Sequence, residues 1–240
     1  MSTSTARPAE PSQERPQERP QDSPQQRPQQ RPQTQGEEIA NAITHGLGCL
    51  LSVAALPLLV WQANRLGSAA DVVAASIFGA TLVLLYGTSA TYHALPAGVA
   101  KRWFHRMDHA AIYVLIAGSY TPFTLGVLHG AWGWTLFGVV WGAAAAGVTI
   151  KLMNRLRHPW LSTGLYVAMG WVAVVAVVPL VQRMPAAGLA WLAAGGLCYT
   201  LGAAVYMLDN RLRYTHAVWH LFVLAGSVCH FFAAFGYARA

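Results

Sequence analysis

Residues 109–150 read HAAIYVLIAGSYTPFTLGVLHGAWGWTLFGVVWGAAAAGVTI, 42 consecutive positions without Lys, Arg, Asp or Glu. As one helix this stretch would measure about 63 Å at 1.5 Å per residue, twice the ~30 Å hydrocarbon core of a bilayer. Leu128-His129-Gly130 falls near its middle and supplies a turn, so the block is read as two spans. Five further charge-free blocks flank it: 26 residues at 39–64, 29 at 72–100, and 25 each at 158–182, 184–208 and 214–238. Each suits one crossing of about 20 apolar residues. The sequence therefore predicts an all-α membrane fold, a bundle of seven transmembrane helices.

Composition agrees. Of 240 residues, 55% are hydrophobic and only 10% charged, against about 25% charged in soluble domains. A soluble enzyme, a coiled coil and a disulfide scaffold are excluded, because six such blocks would leave no polar surface. Cys49, Cys198 and Cys229 lie in apolar stretches and read as small packing residues. Nothing reads as a secretory signal with a cleavage site.

Two domains are expected. Residues 1–36 carry seven of the 13 prolines and no aromatic, Ile, Leu or Val, and Arg-Pro recurs five times from Arg7-Pro8 to Arg31-Pro32. Such a segment has nothing to bury and reads as a disordered, polyproline-like cytoplasmic tail. An SH3-type ligand or a headgroup tether are the sharper alternatives. Residues 37–240 form the membrane domain.

The formal net charge of +7 does not indicate nucleic acid, because its distribution is topological. Basic residues cluster in the tail, at Lys101, Arg102 and Arg106, at Lys151, Arg155 and Arg157, and at Arg211 and Arg213. The intervening loops hold Arg65, no basic residue, and Arg183. By the positive-inside rule the amino terminus is cytoplasmic and the carboxyl terminus outside.

Polar groups at membrane depth are functional hypotheses by default. Ser89 and His93 lie one turn apart near the end of the second span. Asp108, between His105 and His109, opens the third. His216 and His220 share a face at the start of the seventh, a spacing that suits one metal ion. With alternating helix directions, all three clusters fall at the cytoplasmic face. Three His with an open position is the layout of a catalytic zinc site. Asp108 would hold or deprotonate the water in that position. Haem fits less well, because two of the imidazoles sit on one helix at the membrane edge.

His230 lies about 15 Å beyond His220 along the same helix and cannot reach the same ion. It reads as a bundle histidine with a local hydrogen bond. Glu37, Asn41 and His45 form a polar stripe at the cytoplasmic entry, read as capping and interhelical hydrogen bonding or as a second shell that orients a metal ligand. His129 is placed in a solvated outer turn. Pro57, Pro122 and Pro179 can kink the first, third and fifth spans.

The set Glu37-x3-Asn41-x2-Thr44-His45, Ser89-x3-His93, Asp108 and His216-x3-His220-x9-His230 resembles the haemolysin III family, bacterial relatives of the adiponectin and progestin receptors. The likeness covers about residues 37–237. It implies seven helices, a cytoplasmic amino terminus and a zinc ion held by His93, His216 and His220, with water held by Asp108. The related alkaline ceramidases use a similar arrangement on a lipid amide, and the residue matching Ser89 is thought to support the reacting carbonyl. The Arg-Pro tail is not part of the family pattern.

The function expected is that of a zinc-dependent hydrolase of a lipid amide or ester, in a bacterial plasma membrane, with membrane lipid as substrate. Asp108 is the general base and later acid, and Ser89 the oxyanion donor. Two other classes stand beside it: a membrane sensor or regulator with structural zinc, and a pore or cytolysin. The almost wholly apolar fourth to sixth spans rank the pore last.

Overall fold

A computed structural model describes residues 3, 31–153, 155 and 158–239. The expected disorder of the tail falls almost entirely on residues outside these, as does Arg157. Among the described residues, seven helical stretches are long and apolar enough to cross a membrane. The chain is a multi-pass integral membrane protein, and the bundle is all-helical as expected.

Helix α1 spans Gln35–Leu66 and α2 spans Ala69–Ala94. Both begin in a capping box, Thr34 with Glu37 and Ser68 with Asp71, which satisfies orphan N–H groups at the helix starts. Helix α3 spans Val99–Pro122 and continues as a π-helical turn, Phe123–Leu128. Pro122 has no N–H for the carbonyl one turn back, and the wider register follows directly after it. The carbonyls at the end of this turn are taken up by Arg183, whose guanidinium donates to Val127 O at 3.3 Å and to Leu128 O.

The long block breaks at the residues expected. His129 has φ 22° and Gly130 φ 61°, and α4 (Gly130–Leu152) starts there. Glycine takes this conformation without a Cβ penalty. His129 is exposed, as read from the sequence.

The fifth span is interrupted. Helix α5 (Pro159–Gly170) gives way to a 3-10 turn, Val172–Ala176, and then to α6 (Val177–Arg183). The Tyr120 hydroxyl occupies the break. It donates to Gly170 O at 2.6 Å and accepts from Ala173 N at 2.9 Å. Pro179 lies just past this break, whereas α1 stays helical through Pro57. Helices α7 (Ala186–Tyr206) and α8 (Thr215–Tyr237) complete the bundle.

Neighbours in sequence are neighbours in space. α1 packs on α2, α2 on α3, α3 on α4 and α7 on α8, and α1 against α8 closes the ring. α3 is the most buried span. One apolar core, with Phe78, Leu82, Tyr86 and Leu115, fills the space among α1, α2, α3 and α8. A second, with Tyr113, Tyr120, Val140 and Leu180, lies among α3, α4 and the fifth span. Gly118 on α3 faces Thr81 on α2 so closely that a Cβ there would overlap the threonine side chain. This contact sets how near α3 approaches α2. It thereby sets how near the start of α3 lies to the end of α2.

Candidate metal centre

His93 sits at the last turn of α2, and His216 and His220 on the first turns of α8. Their ring centroids lie 5.1 Å (His93–His216), 5.1 Å (His93–His220) and 4.7 Å (His216–His220) apart. All three are buried, and one ring nitrogen from each lies within 4.8 Å of the others. This group could hold a metal ion.

The hydrogen bonds fix which nitrogen points inward. His93 Nδ1 contacts Glu38 Oε2 at 2.7 Å and His216 Nδ1 contacts Asp209 Oδ2 at 3.0 Å. An ionised carboxylate can only accept, so both Nδ1 atoms carry the proton. His220 Nδ1 lies 3.2 Å from Thr44 Oγ1. That hydroxyl directs its single proton to Ala40 O or Asn41 O, at 2.9 and 3.0 Å. With its proton there, the hydroxyl is free to accept from a protonated His220 Nδ1, the tautomer set in the other two rings, which leaves the lone pair on Nε2. All three Nε2 atoms are buried without a partner among the described residues. An unpaired buried polar atom carries a penalty of roughly 1–3 kcal/mol. Three pointing at one spot is the donor set that imidazole-binding metals require.

Asp108 and Ser89 border this cluster from α3 and α2, and both are buried. Ser89 Oγ lies 2.7 Å from His45 Nδ1 and faces the Asp108 carboxyl. The His45–Ser89 bond thus ties α1 to α2 beside the three histidines, with Asp108 of α3 next to it. His45 stacks on His220 with ring centroids 3.4 Å apart. Next to Asp108, His109 Nδ1 bonds back to His105 O at 2.9 Å.

The polar stripe on α1 is buried, but its members contact other things than the histidines' Nδ1 atoms. Glu37 accepts from both guanidinium arms of Arg31, at 3.0 and 2.6 Å, and from Tyr214 N at 2.9 Å. It thereby holds Tyr214, which has φ 61°, at the entry to α8. Asn41 Nδ2 donates to Gln33 Oε1 at 2.6 Å. His230 is remote from the cluster, set edge-on to Tyr199 at 5.3 Å and pressed against Gly195 of α7.

The groups that do orient the three rings are Glu38, Asp209 and Thr44. Glu38 also pairs with Lys101 at 2.9 Å. Burial pushes the Asp209 carboxyl up, but hydrogen bonds from His216, Thr215 and Gln33 outweigh this and leave it below its ordinary value. Sequence reasoning assigned none of the three this task. The signal available was general: a metal-binding imidazole needs an acceptor on its other nitrogen. Asp209 is the one acid between the last two spans, seven residues before His216.

The fold and site define a class: a multi-pass helical membrane protein with a buried three-histidine cluster at one end of its bundle. Within that class the chain belongs to the haemolysin-III related family, whose model matches residues 33–231. It is 43% identical over 201 residues to Hemolysin-3 of Bacillus cereus, covering 84% of this chain and 91% of that one. It is 45% identical over 201 residues to the Hemolysin-3 homolog of Bacillus subtilis (strain 168), covering 84% and 94%. A more distant similarity, 28% over 211 residues and 84% of each chain, joins it to the human monocyte to macrophage differentiation factor. No solved structure matches the chain.

Proposed function

We propose that this chain is a zinc-dependent membrane hydrolase of a lipid amide or ester, set in a bacterial plasma membrane with its amino terminus and metal centre on the cytoplasmic side. The observation that carries the reading is the convergence of three buried, unpartnered Nε2 atoms whose Nδ1 atoms are already committed. Neutral imidazole suits zinc, and three protein ligands leave the open position of a catalytic site. Zinc bound there would polarise a carbonyl and lower the pKa of water to about 7.

The chain's own residues supply the proton handling. Asp108 is the general base, with the Ser89 hydroxyl beside it. The single Ser89 proton can go to Asp108 or to a developing oxyanion, not to both. Once Asp108 has taken a proton it no longer draws the Ser89 proton, which is left for the oxyanion. His45 keeps Ser89 oriented throughout. Protonated Asp108 then serves the leaving amine or alcohol.

The test is hydrolysis of lipid amides and esters by the full chain reconstituted in vesicles, before and after chelation. Release that stops on chelation and returns with zinc supports the reading, as does its loss in an Asp108→Asn variant that keeps its metal. Hydrolysis that survives metal removal overturns it.

A second reading, a regulator with a closed structural site, has one observation in its favour. His45 Nε2 is also buried and unpartnered, and its ring stacks on His220. X-ray absorption separates the two: three nitrogens plus an oxygen for the hydrolase, four nitrogens for the regulator. Nothing in the geometry favours a pore.

A further inference from the structure

Residues 31–34 run over the same end of the bundle as the three histidines, and Arg31 and Gln33 contact the loop between α7 and α8. Arg31 N donates to Asn210 Oδ1 at 3.2 Å, and its guanidinium to Leu212 O at 3.4 Å as well as to Glu37. Gln33 lies between two site elements. Its Oε1 accepts from Asn41 Nδ2 at 2.6 Å, and its Nε2 donates to Asp209 Oδ2 at 3.3 Å. That same Asp209 oxygen accepts from His216 Nδ1. Asp209 stands on a connecting segment rather than a helix, so something must fix it. Thr215 holds its other oxygen at 3.2 Å, and Gln33 ties it to α1.

We propose that the segment 31–34 is a strap, with Gln33 as a positioning residue that holds Asp209 against His216. The amino-terminal segment thereby sets how firmly the centre retains its metal. This rests on the metal-binding reading of the three histidines. Gln33 touches no ligand ring itself and acts through the Asp209 carboxylate. Arg31 acts one step further out, by fixing the loop just after Asp209 through Asn210 and Leu212. A loosened Asp209 lets the His216 ring turn, and a ligand free to turn lets the ion leave faster. Ligand-orienting partners of this kind change metal affinity by about 10–100-fold.

The experiment follows zinc transfer from the detergent-purified full chain to a coloured chelator. Gln33→Met, which keeps the length but removes both hydrogen bonds, is expected to release zinc about tenfold faster than wild type. Asn41 Nδ2 loses its acceptor as well, so the melting temperature of the metal-free protein should fall by the same small amount whether or not Asp209 is present. Cobalt in place of zinc should give shifted visible absorption bands in Gln33→Met, because the ligand field at His216 changes. In an Asp209→Leu background, Gln33→Met should add nothing to the release rate. Equal release rates in wild type and Gln33→Met overturn the proposal, as does a Gln33 effect that persists without Asp209. A folded wild type that binds neither zinc nor cobalt overturns the metal reading and the strap together.

Discussion

Each histidine of the cluster spends one nitrogen on a neighbour and keeps the other for the centre. The neighbours differ: a carboxylate shared with Lys101, a carboxylate on a loop, and a threonine hydroxyl. Replacing one should weaken metal binding without abolishing it. Glu38→Ala should lower zinc affinity about 10–100-fold while leaving about one zinc per chain at saturation. Asp209→Asn should do less harm than Asp209→Leu, because an amide oxygen can still accept from His216 Nδ1. Equilibrium titration against a competing chelator reads both. Equal affinities in Asp209→Asn and Asp209→Leu would argue against the hydrogen bond. At this scale the sequence was informative about the cluster and much less so about its support. His93, His216 and His220 were legible because an imidazole at membrane depth needs a reason. Glu38 and Asp209 were not, because an acid at a helix start or in a loop is ordinary. Glu37 read as a cap and interhelical bond or as a partner of a metal ligand; it closes the α1 capping box and accepts from Arg31 and Tyr214 N.

At the scale of elements, the centre exists because α1, α2, α3 and α8 bring their ends together. No pair of residues on one helix makes it. His216 and His220 share a helix, but His93 comes from α2 and the Asp108 carboxylate from α3, so interhelical distance governs the site. The Gly118–Thr81 contact is a close register point between α2 and α3. Gly118→Ala should destabilise the bundle by about 1–3 kcal/mol through overpacking. Thr81→Ala in the same chain should recover part of that loss by removing the atoms the new methyl meets. Thermal unfolding in detergent measures both, and an unaffected Gly118→Ala would show that the helices can separate without strain. The seven spans were legible from charge-free length alone, and the split at His129–Gly130 from its turn residues. The interruption of the fifth span was not. Its sequence around the break is apolar, and the break depends on Tyr120, a partner some 50 positions earlier.

For the whole molecule, the two ends of the bundle are chemically unequal. One gathers the buried imidazoles, Asp108, the capping box of α1 and the strap. The other is closed by the π-helical turn and Arg183. The order of elements places α1, α2, α3 and α8 side by side, so residues more than 120 positions apart meet at one level. Such a convergence is costly unless something binds there, because each buried nitrogen lacks a protein partner. The family relationship was legible from the joint spacing of the polar residues rather than from any one of them. The role of 31–34 was not, because Arg31 and Gln33 sit in a repetitive polar run and gain meaning only from what they touch. The most direct test of the central claim is metal content by plasma mass spectrometry on the detergent-purified full chain. About one zinc per chain, lost in His93→Ala, His216→Ala and His220→Ala, is the expected result. A folded wild-type protein without bound metal would contradict it.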